Sequence, residues 1–293
     1  MNKNVNVVVL GSEGKLGKDL IELFAYVQGV HVRGYSHKEC DIANIDDIYN
    51  TLGNTAGSIS HVINCSAYTD VDGCEVNMKL AERVNSKGPE LLAQICAKEQ
   101  IHLTHISTDY VFEGFKTQPY LEQDETCPLQ HYGRTKLAGE GPVRNMGNKG
   151  LVIRTSWLYG KHGKNFIDTI LDKVELGVNV NVITDQIGSP TYSMDLSNVI
   201  IQLALSNKSG VFHVVNEGQC SWYEFALKAV EFVNQNSNYL IPIRSENLIR
   251  KADRPKYSAL STLRLQQTFP EHIRKWEDAL YQYLIETKRL YEQ

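Results

Sequence analysis

The stretch "VNVVVLGSEGKLG", residues 5–17, joins a short apolar run to a glycine-rich loop. The run at 5–10 is typical of a parallel strand that is buried on both faces. Glycines follow at 11, 14 and 17, and a helical pattern runs from Lys15 to about Tyr26. Glycine lets the backbone turn sharply and approach a pyrophosphate that rests on the helix N-terminus. The stretch therefore predicts a nucleotide-binding strand–loop–helix unit, although an ordinary loop can also carry three glycines.

The rest of the chain alternates strand and helix patterns. Apolar runs at 30–35, 61–67, 101–107 and 151–157 are predicted strands, and 78–98 is a predicted helix with an interruption near Gly88-Pro89. This alternation favours an α/β fold, a doubly wound parallel sheet with helices on both faces.

After Trp157 the regularity fades and prolines reappear, so we expect a smaller C-terminal domain that binds the substrate. Residues 210–216 resemble a strand that returns to the first sheet. We therefore assign 1–157, with a return at about 190–217, to a nucleotide-binding Rossmann domain. The predicted substrate domain comprises about 158–189 and 218–293.

Composition excludes several classes of protein. The formal net charge of -4 gives no electrostatic argument for a nucleic-acid partner. No run approaches the roughly 20 apolar residues of a membrane span, and the N-terminus lacks a secretory pattern, so we expect a cytoplasmic protein without a membrane partner. The six cysteines form no C-x-x-C pair, and His102 and His105 are predicted on opposite strand faces. We predict no metal site.

The segment "HYGRTKLAGE", residues 131–140, places Tyr132 and Lys136 four residues apart, on one face of a predicted helix. A cation beside a phenol favours the phenolate and lowers the phenol pKa. The segment "STDYVFEG", residues 107–114, adds Ser107 and Thr108 at a strand end. A hydroxyl, a phenol and a lysine together suit carbonyl reduction by a nicotinamide. Alone, Tyr132 could equally pack at an edge and Lys136 be a solvated charge.

The segment "YSHKECD", residues 35–41, follows the second predicted strand, where the ribose of an adenine dinucleotide is read. An acid at this place suits the 2'-hydroxyl of NAD, whereas small polar or basic residues suit the 2'-phosphate of NADP. Ser36, His37 and Lys38 precede the first acid of this segment, so we predict NADPH, with NADH as the alternative. His37 and Lys38 could also be exposed loop residues without this role.

Together these motifs resemble the dTDP-4-dehydrorhamnose reductase family of the extended short-chain dehydrogenases/reductases. The matching blocks run in family order along nearly the whole chain. They are "GSEGKLG", "NCSAYTDVDGCE" (64–75), "STDYVFEG", "YGRTKLAGE" (132–140), "RTSWLYG" (154–160), "NFIDTI" (165–170), "DQIGSPTY" (185–192) and "RPKYSAL" (254–260).

The resemblance implies a role for each matching residue. Thr108 corresponds to the catalytic hydroxyl, Tyr132 to the general acid and Lys136 to the lysine that orients the cofactor. The implied substrate-binding residues are Asp109, Val111, Trp157 and Arg254. The implied cofactor-binding residues, besides Tyr132 and Lys136, are Gly11, Glu13, Gly14, Lys15, Leu16, Gly17, Ser36, His37, Lys38, Asp41, Ile42, Cys65, Ser66, Ala67 and Tyr68.

The chain also departs from the family pattern. Lys15 replaces a frequent glutamine, Ser36 replaces a frequent acid and Ser261 replaces a frequent aspartate. Some relatives bind magnesium at a dimer interface, but the sequence shows no acidic cluster that requires it.

The resemblance implies NADPH-dependent reduction of a dTDP-4-keto sugar to dTDP-L-rhamnose. Two alternatives stay open. The enzyme could reduce a related nucleotide 4-keto sugar, for instance to a 6-deoxy-talose, or the chain could be a non-enzymatic NADP-binding regulatory subunit like the β subunit of methionine adenosyltransferase. A homodimer is compatible with either.

Overall fold

The computed structural model describes residues 5–53, 59–270 and 273–290. Its strands are β1 (Val5–Leu10), β2 (Val30–Tyr35), β3 (His61–Asn64), β4 (His102–Thr108), β5 (Gly150–Thr155), β6 (Leu158–Tyr159), β7 (Val180–Ile183), β8 (Ile187–Gly188), β9 (Thr191–Tyr192), β10 (Gly210–His213), β11 (Cys220–Ser221) and β12 (Leu240–Ile243). Its helices are α1 (Lys15–Phe24), α2 (Ile45–Leu52), α3 (Val71–Val76), α4 (Met78–Glu82), α5 (Gly88–Lys98), α6 (His131–Arg144), α7 (Phe166–Glu175), α8 (Ser193–Leu205), α9 (Trp222–Phe232), α10 (Leu263–Thr268) and α11 (Trp276–Glu286).

The main sheet has six parallel strands in the order β10-β5-β4-β3-β1-β2. The chain adds β2 on one side of β1 and then adds β3 on the other side. This reversal leaves a crevice at the carboxyl ends of β1 and β3, where α/β sheets bind ligands. The predicted doubly wound parallel sheet is confirmed, and 210–213 returns to it as an edge strand beside β5.

Apolar side chains cover both faces of this sheet. Val7 and Val9 of β1 pack in one layer with side chains of α1 and α8. Val8 and Leu10 point to the opposite face, as strand alternation requires, and pack with α2 and α5. Because α1 is pressed onto the sheet directly after β1, the glycine loop between them is held at the strand end.

A separate apolar cluster lies among α7, α9 and α11, and includes Ile167, Phe225, Leu280 and Tyr283. The parallel pair of β7 and β12 belongs to the same part of the chain. The two-domain division at the boundaries given above stays a prediction. None of the helices in the described ranges has the length and apolar character that a membrane crossing requires.

The predicted interruption of the 78–98 helix takes the form of a π turn. Residues Arg83–Lys87 continue α4 into α5, and Gly88 donates its N–H to the Arg83 carbonyl. Pro89 lies in the first turn of α5, where its missing N–H is tolerated. Such turns are frequent at functional sites, and this one carries a buried asparagine into the crevice region, as described below.

Candidate active site

A cavity of about 550 Å³ opens at the carboxyl ends of the central strands. It runs from the glycine loop after β1 to the aromatic side chains of α7 and α9. The sequence-predicted residues that line it are Gly11, Gly14, Lys15, Leu16, Gly17, Cys65, Ala67, Thr108, Asp109, Tyr132, Lys136 and Trp157. The structure thus brings most of the predicted site residues into one place.

The glycine loop is shaped by close backbone packing. Gly11 has a φ of +77°, in the left-handed region that favours glycine. A Cβ on Gly17 would lie 2.3 Å from the carbonyl oxygen of Gly11, so no side chain fits there. Gly14 caps α1 without a side-chain hydrogen bond. The N-terminus of α1 therefore presents the bare backbone that a pyrophosphate binds.

The loop after β3 forms the opposite wall and is fixed by two buried asparagines. Asn64 accepts a hydrogen bond from Ser66 N at 3.0 Å and contacts His105 Nδ1 at 3.1 Å. Asn85, in the π turn, accepts from Tyr68 N at 2.8 Å and donates to Tyr68 O at 3.0 Å. The sequence does not mark Asn85, because its neighbours Arg83, Ser86 and Lys87 are polar as well.

The predicted catalytic hydroxyl lies at the end of β4. Thr108 donates to Asp109 Oδ1 at 3.0 Å and accepts from Tyr110 N at 3.2 Å. It lies near enough to the Tyr132 phenol to influence the pKa of that group. Asp109 is buried beside this pair, and burial raises the pKa of its carboxyl to about 7. The Thr108 and Tyr132 hydroxyls therefore share one dry corner of the cavity, where a carbonyl oxygen can meet both.

Lys136 lies one turn further along α6 and is also buried. Its Nζ donates to the Ile106 carbonyl of β4 at 2.6 Å. Burial lowers the pKa of Lys136 to about 8, and the nearby Glu140 carboxylate opposes this shift. Lys136 is therefore mostly protonated below about pH 8. It lines the same cavity as the glycine loop.

The predicted lowering of the Tyr132 pKa is not what the structure shows. Burial raises the pKa of this phenol, the Thr108 hydroxyl opposes the shift, and the Asp109 carboxylate adds to it. Desolvation penalises the phenolate more than its polar neighbours stabilise it. Tyr132 is therefore held as a protonated phenol.

The loop after β2 has a feature that the sequence analysis overlooked. Glu39 Oε2 accepts hydrogen bonds from Ser36 N at 2.8 Å and from Ser36 Oγ at 2.7 Å. His37 and Lys38 are exposed. Asp41 accepts from Arg83 Nη2 at 2.8 Å. An acid thus occupies the donors of Ser36 that were predicted to read a 2'-phosphate.

The far wall of the cavity is aromatic. Trp157 follows β5 with a φ of +44° and stacks on Trp222 of α9, with ring centroids 3.6 Å apart and planes at 11°. Phe166 meets Trp222 edge-on at 4.6 Å. Trp222 was absent from the sequence prediction, because nothing local marks a tryptophan that packs against a residue 65 positions earlier in the chain.

A second cavity, of about 370 Å³, adjoins the first and shares Val71, Tyr110, Phe166 and Trp222 with it. Arg254 lines this second cavity rather than the first. Its guanidinium donates to both carboxylate oxygens of Asp72, each at 2.7 Å. The pairing lowers the pKa of Asp72. It also ties Arg254 to α3, next to the residues that line the first cavity.

Nine predicted site residues line neither cavity, namely Glu13, Ser36, His37, Lys38, Asp41, Ile42, Ser66, Tyr68 and Val111. For three of them the structure shows a different environment. Val111 is fully buried in an apolar cluster with Phe112 and Tyr120, because the turn after β4 directs it into the core. Ile42 is buried in the layer under α2 and α5. Glu13 is exposed and pairs with Lys18 at 3.4 Å. For these three, sequence position alone did not give side-chain direction.

Asp19, Glu22 and His162 form a cluster of metal-ligand types within the described part of the chain. Sequence analysis did not identify it because His162 is distant from the two acids in the sequence. Glu22 also forms an ion pair with Lys161. None of these side chains lines the large cavity.

Comparison with known proteins gives consistent matches over nearly the whole chain. The family model "RmlD substrate binding domain" matches residues 5–289. The spore coat polysaccharide biosynthesis protein SpsK of Bacillus subtilis is 37% identical over 282 residues, covering 96% of this chain and 97% of SpsK. A dTDP-4-keto-6-deoxy-D-glucose reductase of Streptomyces niveus is 35% identical, covering 94% and 95%. A crystal structure of dTDP-4-dehydrorhamnose reductase from Bacillus anthracis in complex with NADP is 35% identical, with a TM-score of 0.91 and coverage of 97% and 100%.

Proposed function

The chain belongs to the dTDP-4-dehydrorhamnose reductase family, and from this membership we propose that it uses NADPH to reduce the 4-keto group of dTDP-6-deoxy-L-lyxo-4-hexulose to dTDP-L-rhamnose. The product is a precursor of surface polysaccharide. The observation that carries the proposal is the convergence of Thr108, Tyr132 and Lys136 in the cavity that starts at the glycine loop.

Each of the three residues has a distinct task in this proposal. The Tyr132 phenol donates a proton to the oxygen of the 4-keto group as charge develops on it. The Thr108 hydroxyl stabilises the same oxygen by a hydrogen bond. The Lys136 ammonium holds the nicotinamide ribose and provides positive charge in a site that excludes water. Asp109, Trp157 and, from the second cavity, Arg254 surround the nucleotide sugar.

The residues present fit a dinucleotide. Gly11, Gly14 and Gly17 leave space that a Cβ would fill, and the start of α1 lacks a side-chain cap. We propose that this loop holds the pyrophosphate, that 65–68 lies beside the nicotinamide end, and that Ser36, His37, Lys38 and Asp41 lie beside the adenosine ribose. When bound, NADPH supplies the hydride.

The deciding experiment follows NADPH absorbance with the hexulose made in situ from dTDP-glucose. The wild type is expected to consume NADPH, and Tyr132→Phe should lower kcat by about 10²–10⁴-fold. The variant should keep nearly the wild-type Kd for NADPH, because the phenol has no required phosphate contact. Near wild-type turnover in Tyr132→Phe would contradict the assigned role. An NADPH-binding wild type without turnover would favour the regulatory-subunit alternative.

Product stereochemistry requires a separate measurement. One relative is named for a different 4-keto sugar, dTDP-4-keto-6-deoxy-D-glucose, so the substrate range of this chain needs direct assay. NMR of the product distinguishes dTDP-L-rhamnose from a 6-deoxy-talose nucleotide, which forms if the hydride reaches the opposite face of the ketone.

We propose that the enzyme acts in the cytoplasm, where NADPH is regenerated, and that it is a homodimer. Light scattering of the purified protein tests the oligomeric state. The proposed domain division, with 1–157 and 190–217 as the cofactor domain, is tested by whether NADPH protects those segments in hydrogen exchange.

A further inference from the structure

Three side chains on one face of α6 contact three successive residues of β4. Tyr132, Lys136 and Glu140 are spaced by four positions, so they lie along one helical face. The Lys136 ammonium donates to the Ile106 carbonyl at 2.6 Å. The Glu140 carboxylate accepts from Ser107 Oγ at 2.6 Å, and the Tyr132 phenol lies near the Thr108 hydroxyl. The helix face is thus joined to the strand end by the hydrogen bonds of Lys136 and Glu140, beside Tyr132 and Thr108. Of the three helix residues, only Tyr132 and Lys136 belong to the proposed chemistry.

Glu140 is the most deeply anchored of the three. It is 0% exposed, and its carboxylate accepts from Arg154 Nε at 2.9 Å and from Arg154 Nη2 at 2.7 Å. Arg154 of β5 is 1% exposed and lies over the Phe112 ring at 5.2 Å. A buried ion pair of this kind often gives no net stability, because desolvation of both charges offsets their attraction. Stability alone therefore does not explain why this ion pair lies one helical turn from Lys136.

We propose that Glu140 is a positioning residue for the reduction: its single carboxylate fixes the Ser107–Thr108 end of β4 against α6 and provides the negative charge that keeps the Lys136 ammonium in the buried site. The inference rests on the proposed function. Removal of the charge leaves Lys136 and Arg154 as two buried cations without an anion between α6 and β5. Lys136 then loses its proton at a lower pH.

The charged and titratable groups around Lys136 come from every neighbouring element. Tyr132 and Glu140 belong to α6, His105 to β4 and Cys65 to the loop after β3. Burial keeps the pKa of His105 well below its usual range and raises the pKa of the Cys65 thiol to about 12. Both groups are thus neutral near pH 7–8. Glu140 is the remaining source of negative charge that bears on Lys136.

The test is the pH dependence of kcat for Glu140→Gln, an isosteric change that removes only the charge. Turnover of the wild type should fall as pH rises through the Lys136 pKa. In Glu140→Gln this alkaline limb should move lower by about one pH unit, so that kcat falls about fivefold at pH 8 and stays within about twofold at pH 6. NADPH affinity, measured by fluorescence, should begin to fall at the same lower pH in this variant.

Two controls separate this role from simple loss of structure. Ser107→Ala keeps the carboxylate and should leave the alkaline limb in place while lowering kcat. Asp195→Asn breaks another bidentate pair, with Arg274 at 2.8 and 2.7 Å, and should lower Tm without moving the limb. If Glu140→Gln does not fold, Glu140→Asp, whose shorter side chain withdraws the charge, should shift the limb by about half a unit.

The inference is overturned if the folded Glu140 variant keeps the wild-type limb, or if Asp195→Asn moves it equally. Failure of the wild type to turn over the keto sugar would instead overturn the proposed function. In that case the pH dependence of NADPH binding alone decides the role of Glu140.

Discussion

The substitution Gly188→Ala tests whether Trp157 shapes the substrate pocket. A Cβ on Gly188 would lie 2.4 Å from Cε2 and 2.7 Å from Nε1 of the Trp157 indole. Ordinary contact begins at 3.4 Å, so the ring must move by about 1 Å. Because Trp222 is stacked on the same indole, this movement either carries Trp222 along or breaks the stack. Overpacking of this kind costs about 1–3 kcal/mol of stability.

The expected result is a larger loss in catalysis than in stability. A 1 Å misplacement near a reacting group can cost about 10²-fold in rate, so kcat/KM for the keto sugar should fall by about that factor. The Kd for NADPH should be unchanged, since the glycine loop is at the other end of the cavity. Gly141→Ala is the matched control: its Cβ meets nothing within 4 Å, and in a helix it should stabilise by about 0.5–1 kcal/mol. Wild-type kcat/KM in a folded Gly188→Ala protein would refute the placement of Trp157.

Two further predictions concern the cofactor. Lys136→Met should weaken NADPH binding and lower kcat together, because one ammonium serves the ribose and the reaction; normal binding with an unchanged pH profile would show that this role is wrong. Glu39→Gln should increase the preference for NADPH over NADH, by about tenfold in the ratio of kcat/KM, because it weakens the hydrogen bonds that hold Ser36 and removes a charge that repels the 2'-phosphate. Ser36→Asp should shift the ratio in the opposite direction, and equal ratios in all three proteins would show that this loop does not read the 2'-position.

Local signals predicted most of the fold. The apolar run 5–10, the glycines after it and the helix from Lys15 are consecutive in sequence, and the structure has them with nearly the same bounds. The return of 210–213 to the main sheet was predictable, because a buried parallel strand needs the same apolar pattern wherever it occurs. Its position beside β5 was not predicted. Strand ends were less predictable: 61–67 ends at Asn64 and 151–157 ends at Thr155. Beyond those points Cys65, Ala67, Ser156 and Trp157 line the cavity instead of continuing the ladder.

Long-range contacts explain what the sequence could not predict about the site. Asn85 holds Tyr68 through a π turn, and Trp222 meets Trp157 from a distant helix. Neither pairing has a local spacing signal. Glu39 is a local residue, only three positions from Ser36. The sequence nevertheless does not show that its side chain adopts a rotamer that accepts two hydrogen bonds from Ser36. Prediction from residue types therefore assigned the loop to the cofactor without identifying the acid in it.

The spacing of Tyr132 and Lys136 was read correctly as one helical face, but the direction of the phenol pKa was not. Spacing reports which side chains are neighbours, whereas desolvation depends on how completely the whole fold covers them. Below about pH 8 the buried pair is a phenol and an ammonium, because burial raises the pKa of Tyr132 and lowers that of Lys136 only to about 8. This protonation state suits reduction, in which the developing alkoxide must receive a proton. A phenolate, which the sequence argument favoured, would suit the reverse oxidation. The covering of the site by β4, α6 and the loop after β3 thus keeps on Tyr132 the proton that the proposed reduction consumes.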